Sequence, residues 1–255
     1  MTAPVPLWST PGPSCATSKS NIRQLLVVLF SAAICCSSKE SSAEVGTILS
    51  VSSDTRFRGY SISDGRPTVS ALVSYDGHNG YYGTLLGTAQ IGSNGKLRPS
   101  SVEANAGRTR RVSSEVTLDF GIDHADYALP LSVGPGKSYT AVYAGIAYKS
   151  LSSRVFFSPH YFGAGDTTFY YELNAVLHPV AHWSLSGHLG RLFVLTSPRR
   201  YPPQEDEYDW QVGATRSIGR MSVQAALTRG SSGNDRYPRN ASAKVELLLG
   251  LAYAL

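Results

Sequence analysis

The stretch DTTFYYELNAVLH, residues 166–178, decides the fold. Phe169, Tyr171, Leu173, Ala175 and Leu177 take every second position, and Tyr170, Glu172, Asn174, Val176 and His178 fill the places between. A β-strand turns successive side chains to opposite faces, so this segment presents one apolar surface and one largely polar one. The same period runs through residues 182–195, where Trp183, Leu185, Leu189 and Phe193 oppose His182, Ser184, Ser186 and His188. It returns in 220–230, with Met221, Val223, Ala225 and Leu227 against Arg220, Ser222, Gln224 and Thr228.

To either side lie further segments of alternating character, separated by Gly, Pro, Asn, Asp and Ser. They predict about twelve strands, over 46–62, 67–76, 79–91, 99–109, 113–129, 137–149, 153–163, 166–178, 182–195, 207–217, 220–230 and 239–255. Such strands build either a soluble sandwich, with the apolar face hidden inside, or a transmembrane barrel, with that face turned to lipid and the polar face lining a lumen. Three features favour the barrel. The connections alternate between tight turns, as at Asp76–Asn79 and Ser217–Gly219, and long polar stretches at 196–206 and 231–238. Aromatic residues gather near strand ends, among them Tyr81, Tyr82, Phe156, Phe157, Tyr161, Phe162, Trp183, Tyr208 and Trp210, where rings suit a lipid–water boundary. The chain also ends on an alternating strand, with Val245, Leu247, Leu249, Leu251, Tyr253 and Leu255 at every second position. A strand of that kind is what barrel-assembly machinery reads, although Leu255 stands where a terminal aromatic is usual.

Composition agrees and removes other classes. A mean hydropathy of -0.12 over 255 residues is too polar for a bundle of membrane helices, each needing about 20 apolar residues. The 15 Tyr, 8 Phe and 3 Trp argue against disorder. Residues 25–36, LLVVLFSAAICC, are too short to span a bilayer and follow Lys19 and Arg23, so they read as the apolar region of an export signal ending at Ser41-Ser42-Ala43. Removing 1–43, with Lys19, Arg23 and Lys39 against Glu40, takes the formal net charge from +5 to +3, too little to indicate nucleic acid as a partner. Cys15, Cys35 and Cys36 all lie in that segment, so the mature chain offers no disulfide and no cysteine chemistry. The expectation is an all-β fold. It consists of a single antiparallel transmembrane β-barrel at 44–255, in a Gram-negative outer membrane, after a signal peptide at 1–43.

Residues 54–83, DTRFRGYSISDGRPTVSALVSYDGHNGYYG, resemble the bacterial outer-membrane family Gcw_chp. Phe57-Arg58-Gly59, Ser63-Asp64-Gly65 with Pro67, and Gly80-Tyr81-Tyr82 carry the resemblance. Leu118-Asp119-Phe120-Gly121 with Tyr127 and Pro130, then Ser158-Pro159-His160-Tyr161-Phe162, and His188-Leu189-Gly190 extend it along the chain. Thr55 and Thr84-Leu85-Leu86 depart from the pattern, which expects an aromatic at the first and a Trp at the second. The resemblance implies an outer-membrane barrel and no particular activity.

Charged residues inside strands should face the lumen, because Arg or Lys against lipid at midplane costs about 2–4 kcal/mol. Arg56, Arg58, Glu172, Arg220 and Glu246 are the expected interior network, whether paired across strands or lining a water path. His182 and Ser184 sit two apart, the spacing of a His-x-Ser lipid hydrolase, but Leu185 follows where that motif wants Asn. Asp119, Asp123 and His124 could suggest a metal, but His124 points to the other face of the strand from the two aspartates; no metal or cofactor is expected. Arg199, Arg200, Arg229, Arg236 and Arg239 lie in or beside the long loops, placed to meet lipopolysaccharide phosphates. The leading functional expectation is a non-enzymatic, narrow, porin-like conduit for small polar solutes. The alternatives are a hydrolase using His182 and Ser184, and a closed structural or surface-interaction barrel.

Overall fold

The computed structural model describes residues 43–127, 138–162, 166–196, 207–231 and 244–255. The expected signal segment before residue 43 lies outside the described residues, as do Pro130 and most of the two long loops with Arg199, Arg200, Arg236 and Arg239. Fourteen strands follow in chain order: β1 (Glu44–Ser52), β2 (Arg56–Phe57), β3 (Tyr60–Ser61), β4 (Thr68–Asp76), β5 (Tyr81–Ile91), β6 (Leu97–Arg111) and β7 (Val116–Tyr127), then β8 (Ser138–Tyr148), β9 (Leu151–Tyr161), β10 (Asp166–Leu177), β11 (Trp183–Thr196), β12 (Glu207–Ile218), β13 (Met221–Gly230) and β14 (Glu246–Ala254). All but β2 and β3 close into one antiparallel barrel of twelve strands, in which β1 pairs with both β4 and β14. The remaining two form a small hairpin of their own.

Tight turns gather at one end of the barrel together with β1's start and β14's end. Lys149 at φ 51° and Gly219 at φ 61° supply the left-handed residues that two-residue hairpins require. Short turns and chain ends mark the periplasmic rim of an outer-membrane barrel, so the opposite rim faces outward from the cell.

The β10–β11 register shows how the pleat sorts side chains. Leu173 pairs with Leu189 on the outside, while the next pair, Asn174 with His188, lies inside. Around the wall the outward face is apolar and uncovered: Leu189 is 58% exposed, Val212 59% and Leu247 58%, and Leu85, Ile122 and Val142 join them. A continuous belt of this kind is stable only against hydrocarbon. Among the described residues no helix is long and apolar enough to cross a membrane; the crossing is made by strands.

Two expectations are corrected. The segment 46–62 is not one strand: β1 stops at Ser52, and residues 53–67 turn into the barrel. Among the aromatics expected at the lipid boundary, Tyr82, Tyr161 and Phe162 are buried in the interior, and Phe156 packs there too, while Tyr81, Phe157, Trp183 and Tyr208 do face outward. Position relative to a strand end did not fix the face; parity along the strand did for Tyr81, Tyr82, Phe156 and Phe157, while a register shift between β9 and β10 turns Tyr161 inward against the parity of Arg154 and Ser158.

Candidate functional site: a hairpin across the lumen

The connection from β1 to β4 organises itself before it touches the wall. Asp54 is its hub, since one carboxylate oxygen accepts from the Ser61 and Ser63 hydroxyls at 2.6 Å each, and the other from Arg56 Nε at 2.8 Å. Arg56 also donates to the Gly59 carbonyl at 2.8 Å, and Ile62 N–H to the Thr55 carbonyl at 2.8 Å. These bonds hold β2 against β3 with Arg58 and Gly59 at the tip, both left-handed at φ 48° and 79°. Glycine is required at the second of these. A Cβ there would stand 2.6 Å from the Gly230 backbone on β13, besides the strain of its φ.

The hairpin crosses the lumen. On one side Tyr60 donates from its hydroxyl to the Ser231 carbonyl at 2.9 Å, just past β13. On the other, Phe57 packs its ring against Tyr127, Tyr139 and Phe162, at centroid distances of 5.5, 5.5 and 6.1 Å. Arg58 donates to the Tyr161 hydroxyl at 2.9 Å, and its guanidinium lies 3.7 Å over the Tyr170 ring, 4.9 Å from Phe57, 5.1 Å from Tyr161 and 5.7 Å from Tyr139. With Ile62, Ala125, Ala141 and Leu192 these rings form the buried apolar core, which sits in the outer half of the barrel interior.

Nearer the periplasmic end the interior is polar. Arg154 on β9 meets Asp119 on β7 at 2.6 Å, with side chains 6% and 0% exposed. Asp119 also accepts from the Tyr82 hydroxyl at 2.7 Å, and Tyr82 bonds in turn to the Tyr143 hydroxyl. A second group, which reaches up to the apolar core through Tyr170, joins β10, β11 and β12: His188 reaches Asn174 at 2.7 Å and Asp209 at 2.9 Å, and Tyr170 donates to Asp209 at 3.1 Å. Both tyrosine groups rest on wall glycines. A Cβ on Gly121 would meet the Tyr143 hydroxyl at 2.2 Å, and one on Gly190 the Tyr170 hydroxyl at 2.0 Å.

Of the five residues expected to form an interior network, the structure brings four inside. Arg56 lies 3.9 Å from Glu246, while Arg58 and Glu172 lie in the interior near Tyr170, with Glu172 7% exposed. Arg220 stands apart on the exposed turn between β12 and β13, because that strand begins one residue later than its alternation suggested. His182 is likewise on an exposed turn, at φ 66°, while Ser184 faces the interior; no hydrogen bond between them is present. Asp119 and Asp123 face inward, whereas His124 sits on the outer face with Thr140 and Asp126. Among the described residues no cluster of three metal-ligating side chains occurs. Sequence reasoning placed Tyr170 on the lumen face with Glu172 but missed Tyr82, Tyr139 and Tyr143 as interior residues, although their parity along β5 and β8 was readable.

The interior gathers the motif residues noted in the sequence. Phe57, Arg58, Gly59, Ser63, Asp119, Gly121, Tyr127, Ser158, Tyr161, Phe162, His188 and Gly190 all belong to the hairpin or to the wall it meets. No curated protein matches the chain in sequence. Among solved structures the barrel is similar to the NanC porin, with a TM-score of 0.56 and 7% identity over 83% of this chain and 100% of that one. It is also similar to the KdgM porin, with a TM-score of 0.51 and 10% identity over 83% of this chain and 99% of that one. At such identities the likeness concerns the fold, an outer-membrane barrel. A family model described as a bacterial protein of unknown function, Gcw_chp, matches residues 36–244.

Proposed function

The chain belongs to the bacterial Gcw_chp family, whose function is unknown, and we propose that in the outer membrane it serves as a narrow, non-enzymatic, porin-like conduit for small polar solutes. The observation that carries this reading is a polar lumen crossed by a hairpin that is built separately from the wall. A lumen lined by charged and polar side chains suits a conduit, where such groups replace the hydration of what passes. The hairpin narrows the passage and sets the size limit. Likeness in fold to two porins supports the reading without naming a solute.

The aromatic core at the outer mouth favours a second reading, a closed barrel whose outer loops meet other surfaces, including lipopolysaccharide. The hydrolase reading has little support, since exposed His182 and buried Ser184 make no bond to each other. Planar-bilayer recordings on the refolded protein test the proposal: discrete single-channel currents are expected. Absence of conductance at every voltage would favour the closed barrel. If Ser184→Ala abolished a measured lipid turnover, the non-enzymatic part would be wrong.

A further inference from the structure

The chamber around Arg58 has the chemistry of a cation site. Four rings, from Phe57, Tyr139, Tyr161 and Tyr170, lie within cation–π range of the guanidinium. Three of them, Tyr139, Tyr161 and Tyr170, belong to the wall. Carboxylates on the surrounding strands, Glu103, Asp119, Asp123, Glu172 and Asp209, outnumber Arg58, Arg154 and the His188 imidazole, of which Arg154 is bound to Asp119 and His188 to Asp209. Arg58 lies within electrostatic reach of Asp123 and Glu172. Glu172 Oε1 is buried and accepts no hydrogen bond among the described residues, an acceptor two positions along β10 from the Tyr170 ring. Buried carboxylate oxygens of this kind call for a donor.

We infer that this chamber is a site for small organic cations of the guanidinium or alkylammonium type, and that Arg58 is its resident occupant. The inference rests on the conduit reading and deepens it by naming the solute class. Arg58 arrives on a hairpin whose own bonds, centred on Asp54, do not depend on the wall. Its seating on the wall includes the bonds from Arg58 to Tyr161 and from Tyr60 to Ser231, the Phe57 ring contacts and the approach of Arg56 to Glu246. A cationic solute offers the rings the same interactions as Arg58, and offers Glu172 Oε1 a donor, and so competes with the hairpin tip for its seat. An anionic solute meets a surplus of carboxylates and is turned away.

The test uses the full chain refolded into planar bilayers under a potassium chloride gradient, with heat-shifted gel mobility confirming that each variant is folded. The wild type is expected to pass potassium in preference to chloride. Glu172→Gln is expected to lower that permeability ratio about fivefold, the effect of one charge about 4 Å away in watery surroundings. Arg58→Asn keeps a residue that tolerates left-handed backbone; it is expected to conduct more and to be blocked by millimolar guanidinium chloride beyond any effect of sodium chloride. Current that is unselective or chloride-selective, unchanged by Glu172→Gln, overturns the site and leaves the conduit standing. Silent bilayers overturn the conduit. The site is then decided in detergent, where guanidinium but not sodium is expected to raise the Tm of Arg58→Asn, and an equal response to both ions overturns it.

Discussion

The guanidinium of Arg58 donates a 2.9 Å hydrogen bond to the hydroxyl of Tyr161, a residue 103 positions further along the chain and on a wall strand opposite β1. The bond closes a span across the barrel, so the hairpin is anchored at its tip as well as at its roots. Removing only the hydroxyl, with Tyr161→Phe, leaves the ring under Arg58 and deletes a charge-assisted hydrogen bond worth about 1.5–3 kcal/mol. Single-channel records are expected to show more frequent excursions to a larger conductance, and unchanged records would mean that the anchor lies elsewhere.

Gly59→Ala attacks the same hairpin from its other side. The added Cβ would sit 2.6 Å from the Gly230 backbone on a residue at φ 79°, and neither obstacle is a flexible side chain. The tip must withdraw, so conductance is expected to rise while the barrel itself stays folded, as judged by heat-shifted mobility. Barrel unfolding instead would show that the hairpin is part of the wall's stability.

The Asp119–Arg154 pair is buried on both sides. Arg154→Met leaves a desolvated carboxylate and is expected to cost about 3–5 kcal/mol in urea unfolding from lipid vesicles. The double variant Asp119→Leu with Arg154→Met removes the stranded charge and is expected to recover most of that loss. If it recovers none, packing around the pair matters more than its charges.

At Gly190 an added methyl meets the Tyr170 hydroxyl at 2.0 Å and Asp209 at 2.5 Å. Gly190→Ala is therefore expected to destabilise by about 1–3 kcal/mol through overpacking, and Tyr170→Leu in the same chain to relieve part of it. Additive losses in the double-mutant cycle would show that the two residues do not compete for space.

Two neighbours on β12 distinguish the lipid face from the lumen. Val212 is 59% exposed on the outside, and Val212→Arg is expected to cost about 2–4 kcal/mol. Gln211 faces inward, so Gln211→Lys should cost far less and shift ion selectivity instead. Equal losses at both positions would contradict the assignment of faces.

Most of the wall was legible in the sequence because its rule is local. β10 runs over Asp166–Leu177, one residue shorter than the alternation of its side chains predicts, and Glu172 and Asn174 fall on the expected face. The hairpin was not legible. Arg56, Phe57, Arg58 and Tyr60 alternate as a strand would, and what bends the chain inward is a partner far away, Tyr161 for Arg58 and Ser231 for Tyr60, the latter 171 positions on. No window of ten residues contains that information. Arg220 shows the opposite limit: a boundary shift of one residue moves a charge from a strand face to a turn. Tyr82 was readable by parity, yet its nearness to a strand end suggested the lipid boundary; Tyr161 was not, because the register shift between β9 and β10 reverses its face.

The wall closes where β1 meets β14, through Ile48 opposite Ala254 and a bond from Leu255 N–H to the Thr47 carbonyl at 3.0 Å. A cylinder sealed by its first and last staves has no stable partial form. Until that seam zips, two raw edges stay open to any other strand in the periplasm. Assembly of this protein is thus obliged to shelter both ends at once, and the hairpin that crosses the lumen finds its far wall only after the ring is complete.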